Sequence, residues 1–252
     1  MTLANFTKTA GAGVALALIV LTGMLISSPR GRAQAASDDE SRIQQGFAIA
    51  PVTLNLTGKN RDLVGMGSYL VNAVGDCDGC HTSGGPPNFN YLAGHNPYFL
   101  LQGPTRVDPD TYLAGGADFG PALPFNVPPG LGYGAYVGPD MITRNLTPDK
   151  NGLPEGGHSL ADFMLILRTG VDLDKIHPTC TASSPTPTPA NCIPPPVDGS
   201  RLQIMPWPVF HNLSDHDIVA IWTYLSAIPC IDNTTSTPPA GAPNELRNDC
   251  GH

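Results

Sequence analysis

The chain has 252 residues, 41% of them hydrophobic, and its 13 basic against 21 acidic residues give a formal net charge of −8. That apolar content supports a globular core and excludes a disordered chain, while the acidic balance argues against a nucleic-acid partner, since it repels phosphate backbones. With 28 Gly and 27 Pro, turns and irregular segments should outweigh regular elements.

Lys8 precedes an apolar stretch from Gly11 to Ile26, and Ala33-Gln34-Ala35 then offers the small-x-small pattern that a signal peptidase cuts. Residues 1–35 therefore read as a secretory signal, and the chain as periplasmic or otherwise exported. An uncleaved membrane anchor is the alternative, because Arg30 and Arg32 follow the apolar stretch. Membrane association is expected only in that case. Cleavage would remove Lys8, Arg30 and Arg32 and leave a more acidic surface, suited to steering a basic protein partner.

Residues 36–58 read as a loose leader. A first helix follows, with Leu63, Met66, Leu70 and Ala73 at helical spacing. Gly65 and Gly67 weaken it intrinsically, so another element should approach closely there. From Ser83 to Gly157 the sequence is loop-like, with short apolar pieces such as Tyr112-Leu113 and Tyr133 to Val137 and room for one short hairpin. A second helix starts at Ser159, where Asp162 completes a capping-box pattern, presents Phe163, Ile166 and Leu167, and stops at Gly170. The Pro- and Thr-rich run from Pro178 to Pro196 can form neither helix nor central strand and reads as a surface excursion. A last helix begins at Ser214, places Ile218, Ile221, Trp222, Leu225 and Ile228 on one side, and ends at Pro229. The tail over 231–252 is again turn-rich.

Six cysteines in an exported chain suggest oxidised or ligated sulfur. Cys180 with Cys192 and Cys230 with Cys250 are the natural local disulfide pairings, among the three connectivities that four cysteines permit. Cys77 and Cys80 are different. They belong to Cys77-Asp78-Gly79-Cys80-His81, the Cys-x-x-Cys-His signature of covalent c-type haem attachment. Two sulfurs on one helical turn can each add to a haem vinyl group, which turns the next residue's imidazole toward the iron. The competing readings are a thioredoxin-like dithiol and half a zinc site. No second half-site exists for zinc, and no strand-helix alternation surrounds the motif as a thioredoxin fold requires.

The sixth iron position decides between electron transfer and chemistry on a substrate. Met205, in Ile204-Met205-Pro206-Trp207-Pro208, is the leading candidate because prolines can hold that segment extended across a haem face. Met141, Met164 and His211 compete, and Met164 reads rather as core. His95, His158, His177 and His216 read as exposed polar residues. Trp207 is a candidate for packing on the ring or reaching a propionate, and Arg106, Arg144 or Arg168 for pairing with propionates.

Together these features resemble a class I cytochrome c domain, in which an N-terminal helix carrying the haem motif crosses a C-terminal helix. The resemblance rests on Gly67-Ser68-Tyr69-Leu70-Val71 ahead of Cys77, and on Leu213-Ser214-Asp215 leading to Trp222-Thr223-Tyr224-Leu225. More narrowly, Tyr112-Leu113-Ala114-Gly115-Gly116, Arg144-Asn145-Leu146-Thr147-Pro148-Asp149 and Leu167-Arg168-Thr169-Gly170 are similar to the cytochrome c modules of bacterial membrane-bound alcohol, aldehyde and sugar-acid dehydrogenases. It implies a mostly α fold, with few helices around one haem c and long Gly/Pro-rich loops. The domain would span 59–230, with insertions at 83–157 and 178–204.

The expected function is electron transfer between redox protein partners, through one haem held by Cys77 and Cys80 and ligated by His81 and Met205. A haem enzyme of the peroxidase kind, or a sensor with an open sixth position, is the alternative. Those dehydrogenase subunits carry three haem motifs and this chain carries one, so it would match one module.

Overall fold

The computed structural model describes residues 29–82, 91–117, 119, 141–181, 191–195, 197–233 and 248–251, with only the backbone for 29–37. The chain divides into two units, Met1–Ser41 and Arg42–His252. The described part of the first is the N-terminal portion of helix α1 (Pro29–Ile49), and every other element belongs to the second. The leader read over 36–58 is thus helical as far as Ile49, and Ala33-Gln34-Ala35 sits in that helix. The apolar stretch Gly11 to Ile26 lies outside the described residues. Among the described residues no helix is long and apolar enough to cross a membrane.

Helix α2 (Arg61–Tyr69) starts where the Asn60 side chain accepts from the N–H groups of Asp62 and Leu63. Its glycines serve the close approach expected of them. A Cβ at Gly67 would lie 2.0 Å from the Ala220 carbonyl oxygen, and one at Gly65 would lie 2.7 Å from the Ile43 and Phe47 side chains. Being packed on two sides, α2 buries more than the stripe its periodicity suggested, of which Leu63, Met66 and Leu70 pack into the core. Val64, Met66 and Ser68 are buried, Leu63 and Leu70 are half-buried, and Ala73 is exposed.

A π-helical turn (Leu70–Val74) continues α2 and ends where the Gly75 N–H donates to the Leu70 carbonyl at 2.7 Å. Asp76 then takes a left-handed conformation, φ 46°, and redirects the chain into the single turn α3 (Cys77–Cys80). Beyond it come α4 (Pro154–Gly157), α5 (Leu160–Thr169), α6 (Trp207–Phe210) and α7 (Asp215–Leu225). The Ser159/Asp162 capping box and the Gly170 stop of α5 are as read from the sequence, as is the Ser214 cap of α7. Helix α7 ends at Leu225, so Ile228 is buried from the turn beyond it.

The described chain is mostly helical, with isolated bridges such as Tyr91 with Val107 in place of strands. The hairpin expected within 83–157 has no strands among the described residues, and Tyr133 to Val137 lie outside them.

The core gathers Val64, Val71, Leu113, Phe163, Leu167, Ile218 and Leu225. Within it a polar chain is internally paired. The Tyr112 hydroxyl donates to Asn72 Oδ1 at 2.5 Å and lies 2.9 Å from the Tyr224 hydroxyl, the Asn72 amide donates to the Ser68 carbonyl at 3.0 Å, and Ser68 Oγ donates to the Gly46 carbonyl at 2.7 Å. Such a satisfied network fixes the helix crossings without leaving an orphaned donor.

Both disulfides form as the local pairing suggested, Cys180 with Cys192 and Cys230 with Cys250. The excursion over Pro178 to Pro196 is more than surface: its stapled base is buried, with Cys192 2% and Ile193 1% exposed. The described end of the tail is likewise packed. Asn248 is 2% exposed and donates to the carbonyls of Thr147 and Pro148.

Candidate cofactor site

The π turn and the left-handed Asp76 bring Cys77 and Cys80 to the edge of a cavity of about 320 Å³, within the range of small-molecule sites. Cys77, Cys80 and His81 line it together with Met205. Most of the rest of the wall is apolar, including Leu70, Leu146, Phe163, Leu167, Ile193 and Phe210. Ile204, left-handed at φ 66°, and the Met205 N–H, which donates to the Gln203 carbonyl at 2.6 Å, form the turn that presents Met205.

His81 is held from behind. Its Nδ1 lies 3.0 Å from the Arg144 carbonyl oxygen, so the ring carries its proton on Nδ1 and leaves Nε2 to face a ligand. Gly115 braces both groups: its N–H donates to the His81 carbonyl at 2.7 Å, and a Cβ there would lie 2.4 Å from the Arg144 carbonyl carbon. Thr82 completes the brace, donating to Asp78 and accepting from the Leu113 N–H. Further out, Asn145 donates to the Ile231 carbonyl and the Ile231 N–H donates to Thr147, so the stapled tail steadies the segment whose carbonyl orients His81.

The titration behaviour of the motif separates two chemistries. Burial, reinforced by Asp76, pushes the Cys77 thiol up to about 12, and the partial desolvation of the exposed Cys80, again with Asp76, raises it too. A dithiol redox site needs the opposite shift, toward the thiolate. Burial lowers His81, which favours the neutral imidazole that a metal ligand must be.

The remaining sequence candidates separate. Met141 lines the cavity with Met205, whereas Met164 packs against the core as read. His211 does not line it: its Nδ1 contacts the Arg168 carbonyl. Trp207 is also elsewhere, its indole laid on Gly170, where a Cβ would come within 2.2 Å of the ring. Of the arginines, Arg144 lines the cavity with Asp172 at 2.5 Å and Asp174 against its guanidinium, while Arg168 pairs with Asp215 at 2.6 Å and Arg106 is not on the wall.

Several cavity residues escaped the sequence reading, Asp172 among them. His177, read as exposed, is 7% exposed with Nδ1 3.0 Å from the Asn191 carbonyl. Arg201 and Glu155 also line the wall. The cysteines flanking the 178–196 excursion were the available signal that its base turns inward. Nothing in the spacing marked Glu155.

Compared with known protein families, curated proteins and solved structures, the chain matches none.

Proposed function

We propose that this chain is a c-type cytochrome. More particularly, we read it as an exported monohaem electron carrier or electron-transfer subunit, with Cys77 and Cys80 as thioether sites and His81 and Met205 as axial ligands. The bound haem would supply a ferric/ferrous couple. The observation that carries the reading is the convergence of Cys77, Cys80, His81 and Met205 on one largely apolar cavity, with His81 Nδ1 committed to the Arg144 carbonyl.

The chain's own groups have distinct tasks. His81 presents Nε2 in a fixed orientation, Met205 would take the remaining iron position and so deny it to substrates, and the apolar wall excludes water. Cys80 is solvent-exposed, so this edge of the cavity is within reach of a protein partner. The two disulfides support an oxidising, exported location.

The test is a reduced-minus-oxidised absorption spectrum of the exported protein, with Met205→Ala and Met141→Leu beside wild type. The expected result is a low-spin spectrum with a sulfur-to-iron band that Met205→Ala abolishes and Met141→Leu retains. A high-spin wild-type spectrum, unchanged in Met205→Ala and accompanied by peroxide turnover, would favour the peroxidase-like alternative instead.

A further inference from the structure

Glu155 occupies an unusual position on the cavity wall. It is 5% exposed, its backbone is left-handed (φ 53°, ψ 55°), and its Oε2 is buried with no hydrogen-bond partner among the described residues. A buried carboxylate oxygen without a partner is costly and is retained only where something compensates or uses it. Arg144, the permanent cation that acts on Glu155, does not supply a full partner. Arg144 already pairs with Asp172 and Asp174, and it is 12% exposed against 6% for Asp172. His158 Nε2 lies 3.5 Å from Asp174 Oδ2 and, like Glu155 Oε2, is buried without a hydrogen-bond partner among the described residues. Glu155, Asp172 and Asp174 therefore share one guanidinium and one imidazole. Of the three, Glu155 is the carboxylate without a direct ion pair.

We propose that Glu155 is a redox-linked proton site. It takes up one proton from solvent when a one-electron protein donor reduces the chain's haem, and releases it when an acceptor removes the electron. The inference rests on the haem reading above. In the balanced step the iron goes from ferric to ferrous, one O–H bond forms on the Glu155 carboxylate, and the proton comes from water.

The sign follows from electrostatics. Reduction removes one positive charge from the cavity that Glu155 lines, and in a low-dielectric wall that loss favours the protonated carboxyl. Burial already raises the Glu155 carboxyl, opposed by Arg144 and His158 and assisted by Asp174 and Asp172. Beside the motif's own Cys77, Cys80 and His81, the other charged or titratable side chains on the wall are differently placed: Asp76 is exposed to solvent, Arg201 lies 3.7 Å from Asp198, and His177 contacts the Asn191 carbonyl. Asp172 and Asp174 are tied to Arg144, which leaves Glu155 as the buried carboxylate whose charge is least compensated.

The experiment is a mediated redox titration of the haem-loaded protein across a series of pH values, for wild type and Glu155→Gln. In wild type the potential should fall with rising pH through one window, bounded by the ferric and ferrous values of the carboxyl, and be flat on either side. Glu155→Gln, which mimics the protonated side chain, should be flat throughout and match wild type at the acid end. Reduced-minus-oxidised infrared spectra of wild type supply a readout that needs no variant: a protonated-carboxyl band should appear on reduction and shift in heavy water. A pH dependence that survives Glu155→Gln, or the absence of that band in wild type, overturns the proposal while leaving the haem reading intact. A chain without covalent haem, seen by mass before any titration, overturns both.

Discussion

The Nδ1 atom of His81 lies 3.0 Å from the carbonyl oxygen of Arg144, and residues 63 positions apart are brought to that distance by Gly115. Substituting Gly115→Ala should break the arrangement, because the backbone is left-handed there (φ 71°) and the added methyl would meet the Arg144 carbonyl. We expect a loss of about 2–4 kcal/mol, from strain together with overpacking, measured by denaturant unfolding of the loaded protein. A Gly115→Ala variant of wild-type stability would show that the brace carries no weight.

The same cavity predicts how the protein behaves without its cofactor. At about 24 cal/mol per Å³, an empty 320 Å³ cavity would cost at most about 8 kcal/mol, comparable with the whole stability of a typical domain. A Cys77→Ser, Cys80→Ser double variant lacking haem should therefore be largely unfolded. A near-native far-ultraviolet circular dichroism spectrum from it would contradict this.

The Cys230–Cys250 bridge closes a loop with a sequence separation of 20 residues, and a bridge of that span stabilises by roughly 3 kcal/mol. Replacing both cysteines with serine should cost about that much. It should also loosen Asn248 from Thr147 and Pro148, seen as faster amide exchange over 145–149. Unchanged exchange there would separate the tail from the His81 support.

Acid sensitivity should come partly from Asp174. The imidazole of His158 and the guanidinium of Arg144 hold its carboxyl below the ordinary 3.8. A depressed native value contributes stability that is fully present above the unfolded value and is lost as pH falls through the native one. Asp174→Asn should therefore be less stable than wild type at neutral pH, and the two should converge as pH falls out of the ordinary carboxylate range and through the lowered native value. Parallel stability curves through that range would assign the acid loss to other groups.

Much of this was legible in the chain because it is local. Ser159 with Asp162, Ser214 and Gly170 marked the helix ends, the close-range cysteines found their partners, and Gly65 and Gly67 signalled a backbone crossing. What the sequence concealed depends on contacts between distant segments. The burial of Val64 and Ser68 on α2, beyond the stripe of Leu63, Met66 and Leu70, was not legible because two elements pack on that helix rather than one. His177 and Glu155 reach the cavity wall through tertiary placement, which no short spacing encodes. Trp207 and His211 stand close to Met205 in sequence, yet the turn at Ile204 presents Met205 to the cavity while those two side chains lie elsewhere.

The most direct test of the central claim is the intact mass of the protein recovered after export from a host that matures c-type cytochromes, measured with and without a thiol-alkylating reagent. The account predicts a polypeptide carrying the mass of one haem that survives denaturation, with Cys77 and Cys80 closed to the reagent. A bare polypeptide in which both thiols are alkylated would contradict it.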